Sequence, residues 1–155
     1  MFKNFSRLAV ILASALLLSL AVSLSAYFII DNVHITRTFF FPDRRGGLKG
    51  ETRRLPDLKG DEQKIGQLVE ELILGPFDID HNFLIPKDTR LNTVMLRNKS
   101  TVYLDFSPNF VIAAGTTSLS YNDIISGIEK NVRYNFPYVK KIIITVDGEQ
   151  LKLGT

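Results

Sequence analysis

Residues 8–30 of the chain are LAVILASALLLSLAVSLSAYFII, an apolar run of 23 residues without a charged side chain. At about 1.5 Å of rise per residue, a helix of this length is roughly 34 Å long and crosses the ~30 Å hydrocarbon core of a bilayer. A helix also satisfies its own backbone hydrogen bonds, which lipid cannot do. The run therefore predicts a transmembrane helix, with the rest of the chain tethered to a membrane or exported through one.

The charges on either side of this run predict its orientation. Lys3 and Arg7 precede it, whereas Asp31 and His34 follow it. Because lysine and arginine near a span stay in the cytoplasm, residues 1–7 are expected inside and the chain beyond the run outside. The expected location is the cytoplasmic membrane, with a single span and an extracytoplasmic C-terminal domain in the periplasm or on the outer face.

A cleaved signal peptide competes with a retained anchor, and two further alternatives are disfavoured. A cleaved signal peptide fits the charged start, the apolar middle and the small residues of Ser23-Leu24-Ser25. The apolar run continues through residues 27–30, where a signal peptide would already be polar, and this favours the retained helix. A lipid anchor requires a cysteine, which the sequence lacks. A soluble core helix is disfavoured because about six turns lack a polar face.

The charge of the exported part argues against nucleic acid as a partner. The sequence contains 19 lysine and arginine residues and 16 aspartate and glutamate residues, and its pI is near 9.2. Two of the basic residues precede the apolar run and all of the acidic residues follow it, so the exported part is close to neutral. A nucleic-acid partner is therefore not expected. Without cysteine, the fold depends on core packing alone.

The chain after the apolar run suits one domain. Residues 36–155 follow a short linker at residues 31–35, and a length of about 120 residues supports a single hydrophobic core. A helix is indicated at 61–74, where an apolar stripe with helical spacing ends before Gly75-Pro76. A second helix begins at Ser120-Tyr121-Asn122-Asp123, which has the S-x-x-D form of a capped start, and ends near Asn135.

Strand patterns surround these two helices. They rest on β-branched and aromatic composition, on alternation and on turn residues such as Asp147-Gly148. The predicted strands are 35–41, 48–55, 91–96, 101–106, 141–146 and 150–153. The order β-β-α-β-β-α-β-β predicts an α+β fold: an N-terminal transmembrane helix followed by one mixed sheet with two helices packed on one face.

A series of short motifs follows this order along the exported part. They are Thr38-Phe39-Phe40-Phe41-Pro42-Asp43; Leu72-Ile73-Leu74-Gly75-Pro76; Leu84-Ile85-Pro86 with Thr89-Arg90-Leu91 and Val94; Val102-Tyr103-Leu104-Asp105-Phe106-Ser107 with Phe110; and Phe136-Pro137, Val139, Ile142 and Val146-Asp147-Gly148-Glu149. With them the sequence resembles the GerMN domain family, the sporulation and spore germination module of bacterial envelope proteins. The resemblance implies a non-catalytic assembly module outside the cytoplasmic membrane, similar in fold to the ring-building motifs of envelope secretion and sporulation complexes.

One loop carries chemistry suited to a ligand or a metal ion. Asp78-Ile79-Asp80-His81 places two carboxylates and an imidazole within four positions. A site for a small ligand or a cell-wall polymer is therefore a hypothesis for Asp78, Asp80 and His81, together with Tyr103. A solvated acidic loop explains the same residues without a ligand. No metal, cofactor or catalytic residue is assigned.

The second candidate site is a basic hairpin. Arg44, Arg45, Lys49, Arg53 and Arg54 lie on and beside the turn between the first two predicted strands. Such a surface suits anionic lipid headgroups, an anionic envelope polymer or an acidic protein partner. Protection of an edge strand explains the same charges without any partner.

These observations favour a non-catalytic protein–protein interaction or assembly module of the bacterial cell envelope. The expected partners are the membrane, through the single span, and envelope proteins, including a second copy of the chain. A module that binds cell-wall polymer or a small ligand is the alternative. An envelope hydrolase using Asp80 and Asp105 as acid and base is a third hypothesis, although the sequence contains no recognisable catalytic motif.

Overall fold

The apolar run forms the first helix of the chain. The computed structural model describes residues 2–31, 34–113 and 119–150, and helix α1 covers Phe2–Asp31. Its segment Arg7–Phe28 has 22 residues and a mean hydropathy of 2.4, and it is not buried within the protein. By length and composition this helix suits a membrane anchor and a signal sequence alike.

The chain divides into two units, residues 1–35 and residues 36–155. Helices α2 and α4 occur where apolar periodicity and capping residues predict them, whereas the short helix α3 was not predicted. Most of the predicted strand 150–153 and of the connector 113–119 lies outside the described residues. The elements after α1 are β1 (His34–Pro42), β2 (Leu48–Pro56), α2 (Asp61–Leu74), β3 (Leu91–Arg97), β4 (Thr101–Phe106), α3 (Asn109–Ile112), α4 (Tyr121–Asn135), β5 (Lys141–Val146) and β6 (Glu149–Gln150).

The described strands form two sheets. In the larger one the order is β3-β4-β5-β6, with β4 and β5 parallel and the two outer pairs antiparallel. Strands β1 and β2 make a two-stranded sheet of their own. The predicted α+β class and the mixed sheet with two helices are confirmed, but the first hairpin is not part of that sheet.

A single hydrophobic core nevertheless joins the two sheets. Along β4 the side chains alternate between buried and half-buried, as the sequence predicts for a strand with one covered face. Helices α2 and α4 turn their apolar stripes towards the same core, and β1 contributes two stacked phenylalanine rings. The largest fully buried side chains are Phe39, Phe41, Phe106, Phe110, Ile65, Leu68, Leu72, Leu84, Ile85, Leu104, Ile124 and Ile128.

Two asparagine side chains of α4 explain why β1 needs no second neighbouring strand. The Asn131 amide accepts a hydrogen bond from Phe40 N (2.7 Å) and donates one to Phe40 O (3.0 Å). One helical turn later, Asn135 accepts from Thr38 N (3.2 Å) and donates to Thr38 O (2.7 Å). The two amides thus pair with β1 as the backbone of a strand would, because residues four apart on a helix face the same way.

The long segment between α2 and β3 is anchored at two glycines. Gly75 ends α2 with φ of +90°, and a Cβ atom there would lie 2.2 Å from the Phe83 ring. Gly127 of α4 leaves room for Leu84, whose Cδ1 would lie 2.4 Å from a Cβ at that position. Because Leu84 and Ile85 are fully buried, the segment is fixed at its centre while residues 77–80 remain exposed.

We expect Asn131→Ala to lower the free energy of unfolding by roughly 2–4 kcal/mol, because the two backbone groups of Phe40 lose their partners in a buried site. Urea unfolding of the full-length chain in detergent micelles, followed by circular dichroism, measures the change. Asn122→Ala, in the exposed first turn of the same helix, is the matched control and should shift stability by less than about 0.5 kcal/mol. Equal losses in the two variants would show that the amide pairing contributes nothing.

Candidate interaction surface

The turn between β1 and β2 presents three cations to solvent. It closes through hydrogen bonds from Gly46 N to Asp43 O (3.0 Å) and from Asp43 N to Gly47 O (3.1 Å). Both glycines have positive φ, which allows the chain to reverse within a few residues. Arg44, Arg45 and Lys49 are exposed as a result. We refer to these three residues as the basic turn.

The loop that contains Asp78, Asp80 and His81 lies directly against the basic turn. Asn82 N donates to Pro42 O (2.7 Å), and Arg44 Nη2 donates to Ile79 O (2.9 Å). Arg44 Nη1 also lies 3.8 Å from Asp80 Oδ1. Part of each candidate site, Arg44 from one and Asp80 from the other, therefore lies on one surface. At their junction is an open depression of about 260 Å³, lined by Asp43, Arg44, Arg45, Lys49 and Asp80.

Three large apolar side chains in and just before this loop stand in solvent. Leu74 is 71% exposed, Phe77 is 78% exposed and Ile79 is 84% exposed. We refer to these residues as the apolar tip. Sequence reasoning missed it, although the pair of apolar residues in Phe77-Asp78-Ile79-Asp80, just after a Gly-Pro helix stop, was a usable signal. The loop that carries Phe77 and Ile79 contacts Arg44 of the basic turn, and exposed apolar residues rimmed by polar groups are typical of an interaction site.

Arg53 does not belong to this surface, and its assignment to the basic interaction site is wrong. Successive side chains of a strand point to opposite faces, so Arg54 is exposed whereas Arg53 is only 4% exposed. The Arg53 guanidinium pairs with the Glu51 carboxylate and with Glu71 Oε2 (2.9 Å), and it donates to Gly75 O (2.7 Å).

Aromatic rings enclose the same guanidinium. Its carbon atom lies 4.8 Å from the centre of the Phe39 ring, 5.2 Å from that of Phe41 and 4.0 Å from that of Phe77. Cation–π contacts of this kind are strongest where the cation is desolvated. Phe77 thus covers Arg53 with one face of its ring and leaves the other face to solvent.

Glu51 connects the buried arginine to the exposed loop. Its carboxylate accepts hydrogen bonds from Phe77 N (3.2 Å) and Asp78 N (3.5 Å) as well as from Arg53. Burial by itself would raise the pKa of Glu51, but the hydrogen bonds and the charge of Arg53 outweigh it, and the pKa lies below its ordinary value of 4.5. The ionised Glu51 therefore holds the backbone at the start of the loop.

His81 lies beneath the loop and not on its surface. Its side chain is 2% exposed, with Nδ1 at 3.6 Å from Glu51 Oε2 and Nε2 at 4.0 Å from Asp78 Oδ2. Asp78 itself accepts a hydrogen bond from Asp80 N (3.0 Å), and this bond lowers the pKa of the Asp78 carboxyl. Among the described residues, no group of three or more histidine, aspartate or glutamate side chains is arranged to hold a metal ion.

Tyr103 does not join the acidic loop, so the predicted ligand site is not assembled as a group. It lies on the uncovered face of β4, where it lines a separate depression of about 490 Å³ with Met95, Arg97 and Asp105. None of the residues lining this depression belongs to the acidic loop or the basic turn.

Asp105 has a structural role at the end of β4. It accepts hydrogen bonds from Thr145 Oγ1 (2.6 Å), Gly148 N (2.8 Å) and Asn92 Nδ2 (3.1 Å). Burial opposes its ionisation, but these bonds outweigh burial and lower the pKa of Asp105 from 3.8. Asp80, in contrast, lies beside Arg44. The described contacts of the two carboxylates share no residue, and this arrangement does not favour an acid–base pair.

A family model described as sporulation and spore germination, with the name Germane, matches residues 38–152. The chain belongs to the Germane family. The resemblance to GerMN domains is therefore confirmed, and the match begins within β1 and extends past the end of β6. No curated protein sequence matches the chain significantly.

Solved structures show the same fold. The first GerMN domain of the sporulation protein GerM from Bacillus subtilis has a TM-score of 0.60 at 23% identity, over 76% of this chain and 86% of that chain. The tandem GerMN domains of the same protein have a TM-score of 0.58 at 21% identity, over 77% of this chain and 41% of that chain. A candidate lipoprotein from Clostridium perfringens has a TM-score of 0.50 at 22% identity, over 76% of this chain and 78% of that chain.

Replacing Arg53 should destabilise the Germane domain far more than replacing its neighbour. Arg53→Ala leaves Glu51, Glu71 and a carbonyl group without their cation, and we expect a loss of roughly 3 kcal/mol because those carboxylates keep some access to water. Arg54→Ala, on the exposed face of the same strand, should lower stability far less. Denaturant unfolding of both variants measures the difference, and similar losses would contradict a central role for Arg53.

The lowered pKa of Glu51 predicts a loss of stability in acid. A carboxyl group with a lower pKa in the folded than in the unfolded state stabilises the fold above its unfolded value, near 4.5, and this contribution disappears as the pH falls through the folded value. Unfolding free energies measured between about pH 6 and pH 3 should therefore fall less steeply in Glu51→Gln than in the natural chain. If the unfolding free energy falls equally steeply with pH in both proteins, Glu51 does not contribute to the loss of stability in acid.

Proposed function

We propose that this protein is a membrane-anchored, extracytoplasmic module of the bacterial cell envelope that binds other proteins and performs no catalysis. The observation that carries the proposal is the surface formed by the apolar tip and the basic turn. Protein interfaces typically combine a few large apolar or aromatic anchors with arginine, surrounded by polar groups. Phe77 and Ile79, with Arg44 beside them, provide this combination in solvent.

The support beneath this surface favours binding without rearrangement. Glu51 holds the backbone of residues 77 and 78, and Arg53 holds Glu51. Asn82 and Arg44 join the loop to the turn. A binding surface that is already ordered loses less conformational entropy when a partner binds. The contacts therefore suit a preformed docking site.

The state of the carboxylates supports a non-catalytic role. Glu51 and Asp105 both accept several hydrogen bonds, and each has a lowered pKa. General acid–base catalysis near neutral pH usually requires a pKa shifted towards 7. Hydrogen-bonded carboxylates with lowered values are typical of structural positions instead.

The location rests on the N-terminal helix and on the relatives. Lys3 and Arg7 precede a span with no charged residue, the pattern of a helix whose N-terminus stays in the cytoplasm. The structural relatives are a sporulation protein and a candidate lipoprotein. Both descriptions fit a domain held at the cell envelope.

The depression between the basic turn and Asp80 favours a second candidate function. Its five lining residues are three cations and two aspartates, so its formal charge is positive, and its volume is about 260 Å³. These features suit a segment of an anionic cell-wall polymer, bound by charge and by the guanidinium donors of Arg44 and Arg45. A retention assay on purified cell wall, with Arg44→Glu as the variant, separates this candidate from a protein partner.

Because the sequence contains no cysteine, a single introduced cysteine is a unique probe of both side and contact. We expect Ile79→Cys to react with a membrane-impermeant maleimide in native-host cells whose outer layers are removed and whose cytoplasmic membrane is intact. With a thiol-linked photocrosslinker it should form adducts with other proteins, because its side chain stands in the centre of the proposed interface.

Two matched variants make this experiment decisive. Ile112→Cys, at a position 73% exposed on α3, should react equally with the maleimide but form far fewer adducts. Ser6→Cys, before the span, should react only after permeabilisation. Reaction of Ile79→Cys only after permeabilisation would refute the extracytoplasmic location, and equal adduct yields at positions 79 and 112 would refute the apolar tip as the contact.

A further inference from the structure

The larger sheet has an open edge at β3. This strand is the first in the order β3-β4-β5-β6, so only β4 pairs with it among the described strands. Leu96 N donates to Glu62 Oε1 at 2.7 Å, which shows that the Leu96 backbone points away from β4. In an antiparallel pair the direction alternates along the strand. The N–H and C=O groups of Val94 therefore also point outward.

A groove runs along this edge between α2 and β3. It has a volume of about 500 Å³ and is lined by Leu58, Glu62, Gly66, Glu70, Leu91 and Val94, among others. Gly66 of α2 lies close to Val94 of β3, since a Cβ atom there would be in ordinary contact with Val94 Cγ2 at 3.5 Å. One wall of the groove is thus a helix and the other is an unpaired strand edge.

The negative charge of the groove favours a positively charged ligand. Glu62 and Glu70 are exposed carboxylates, and no lysine or arginine lines the groove in the described part of the chain. At the end nearest Leu96, the Glu62 carboxylate accepts the hydrogen bond from Leu96 N that the backbone of a neighbouring strand would otherwise accept. Next along the strand, Val94 offers its outward groups beside two acidic side chains, and the register with β4 becomes irregular between Leu91 and Thr93.

We propose that this groove binds an extended, basic segment of a partner polypeptide, which pairs with the outward groups of Val94 as an additional strand. Main-chain hydrogen bonds hold such a segment, and alternate side chains meet opposite faces of the sheet. Those directed towards α2 meet Glu62 and Glu70, so basic residues are favoured there. This surface is distinct from the apolar tip, and the inference stands or falls separately from the proposed function.

The test uses the full-length chain in nonionic detergent micelles and a labelled hexapeptide of alternating lysine and valine. Fluorescence anisotropy should show binding that weakens with added salt, because the attraction involves exposed charges. Hydrogen exchange should slow at Val94 when the peptide is present. A hexapeptide of alternating glutamate and valine has the same strand propensity pattern with opposite charge, and it should bind far more weakly.

Three variants complete the test. The double variant with Glu62→Gln and Glu70→Gln should raise the Kd for the lysine peptide by roughly fivefold, because it removes both carboxylates of the groove. Gly66→Gln, which adds a neutral side chain where only an ordinary contact with Val94 is close, should fill the groove and raise the Kd by about tenfold or more. Glu149→Gln removes an exposed charge from β6, at the opposite edge of the sheet, and should leave the Kd unchanged.

Several results would overturn the inference. Equal binding of the two peptides would exclude charge selection, and undiminished binding to Gly66→Gln would exclude the groove. Protection at β6 in place of Val94 would place the peptide at the wrong edge. Self-association of the chain through β3 that the lysine peptide does not displace would show that a second copy, and not a basic segment, occupies the edge.

Discussion

Two side-chain amides on α4 determine how the Germane domain is assembled. Asn131 and Asn135 pair with both backbone groups of Phe40 and Thr38, and Asn131 is completely buried. The edge of β1 is closed by a helix in this way, so the first hairpin can form its own small sheet. This position directs the rings of Phe39 and Phe41 into the common core and places the inward face of β2 against the end of α2.

The position of β2 has an electrostatic consequence. Arg53 points inward between the phenylalanine rings and meets Glu51, Glu71 and the carbonyl of Gly75. Burying an arginine is unfavourable unless its charge and its donors are matched. Here two carboxylates and a helix-terminal carbonyl match them. The same contacts fix the exit of the chain from α2, and the exposed surface beside the basic turn depends on a charge that solvent hardly reaches.

The sequence predicts the local elements well because their signals are local. The apolar stripe at helical spacing and the stop at Gly75-Pro76 define α2. The capping box of Ser120 and Asp123 starts α4. The separate hairpin sheet could not be predicted, since it depends on amide groups 91 and 97 positions away in sequence. The inward direction of Arg53 was accessible from the sequence, because side chains two positions apart in a strand share a face and Leu55 is apolar. The junction of the basic turn and the acidic loop required the tertiary structure.

The pairing of β1 with α4 also bears on how the chain acquires its structure during synthesis. Within the Germane domain β1 and β2 are synthesised first, and the helix that closes the edge of β1 ends only at Asn135. The nascent hairpin therefore has no lateral support until most of the chain has been translated, and its phenylalanines have no completed core to enter. The pairing of β1 can therefore be completed only after α4, in the C-terminal third of the domain, has been synthesised.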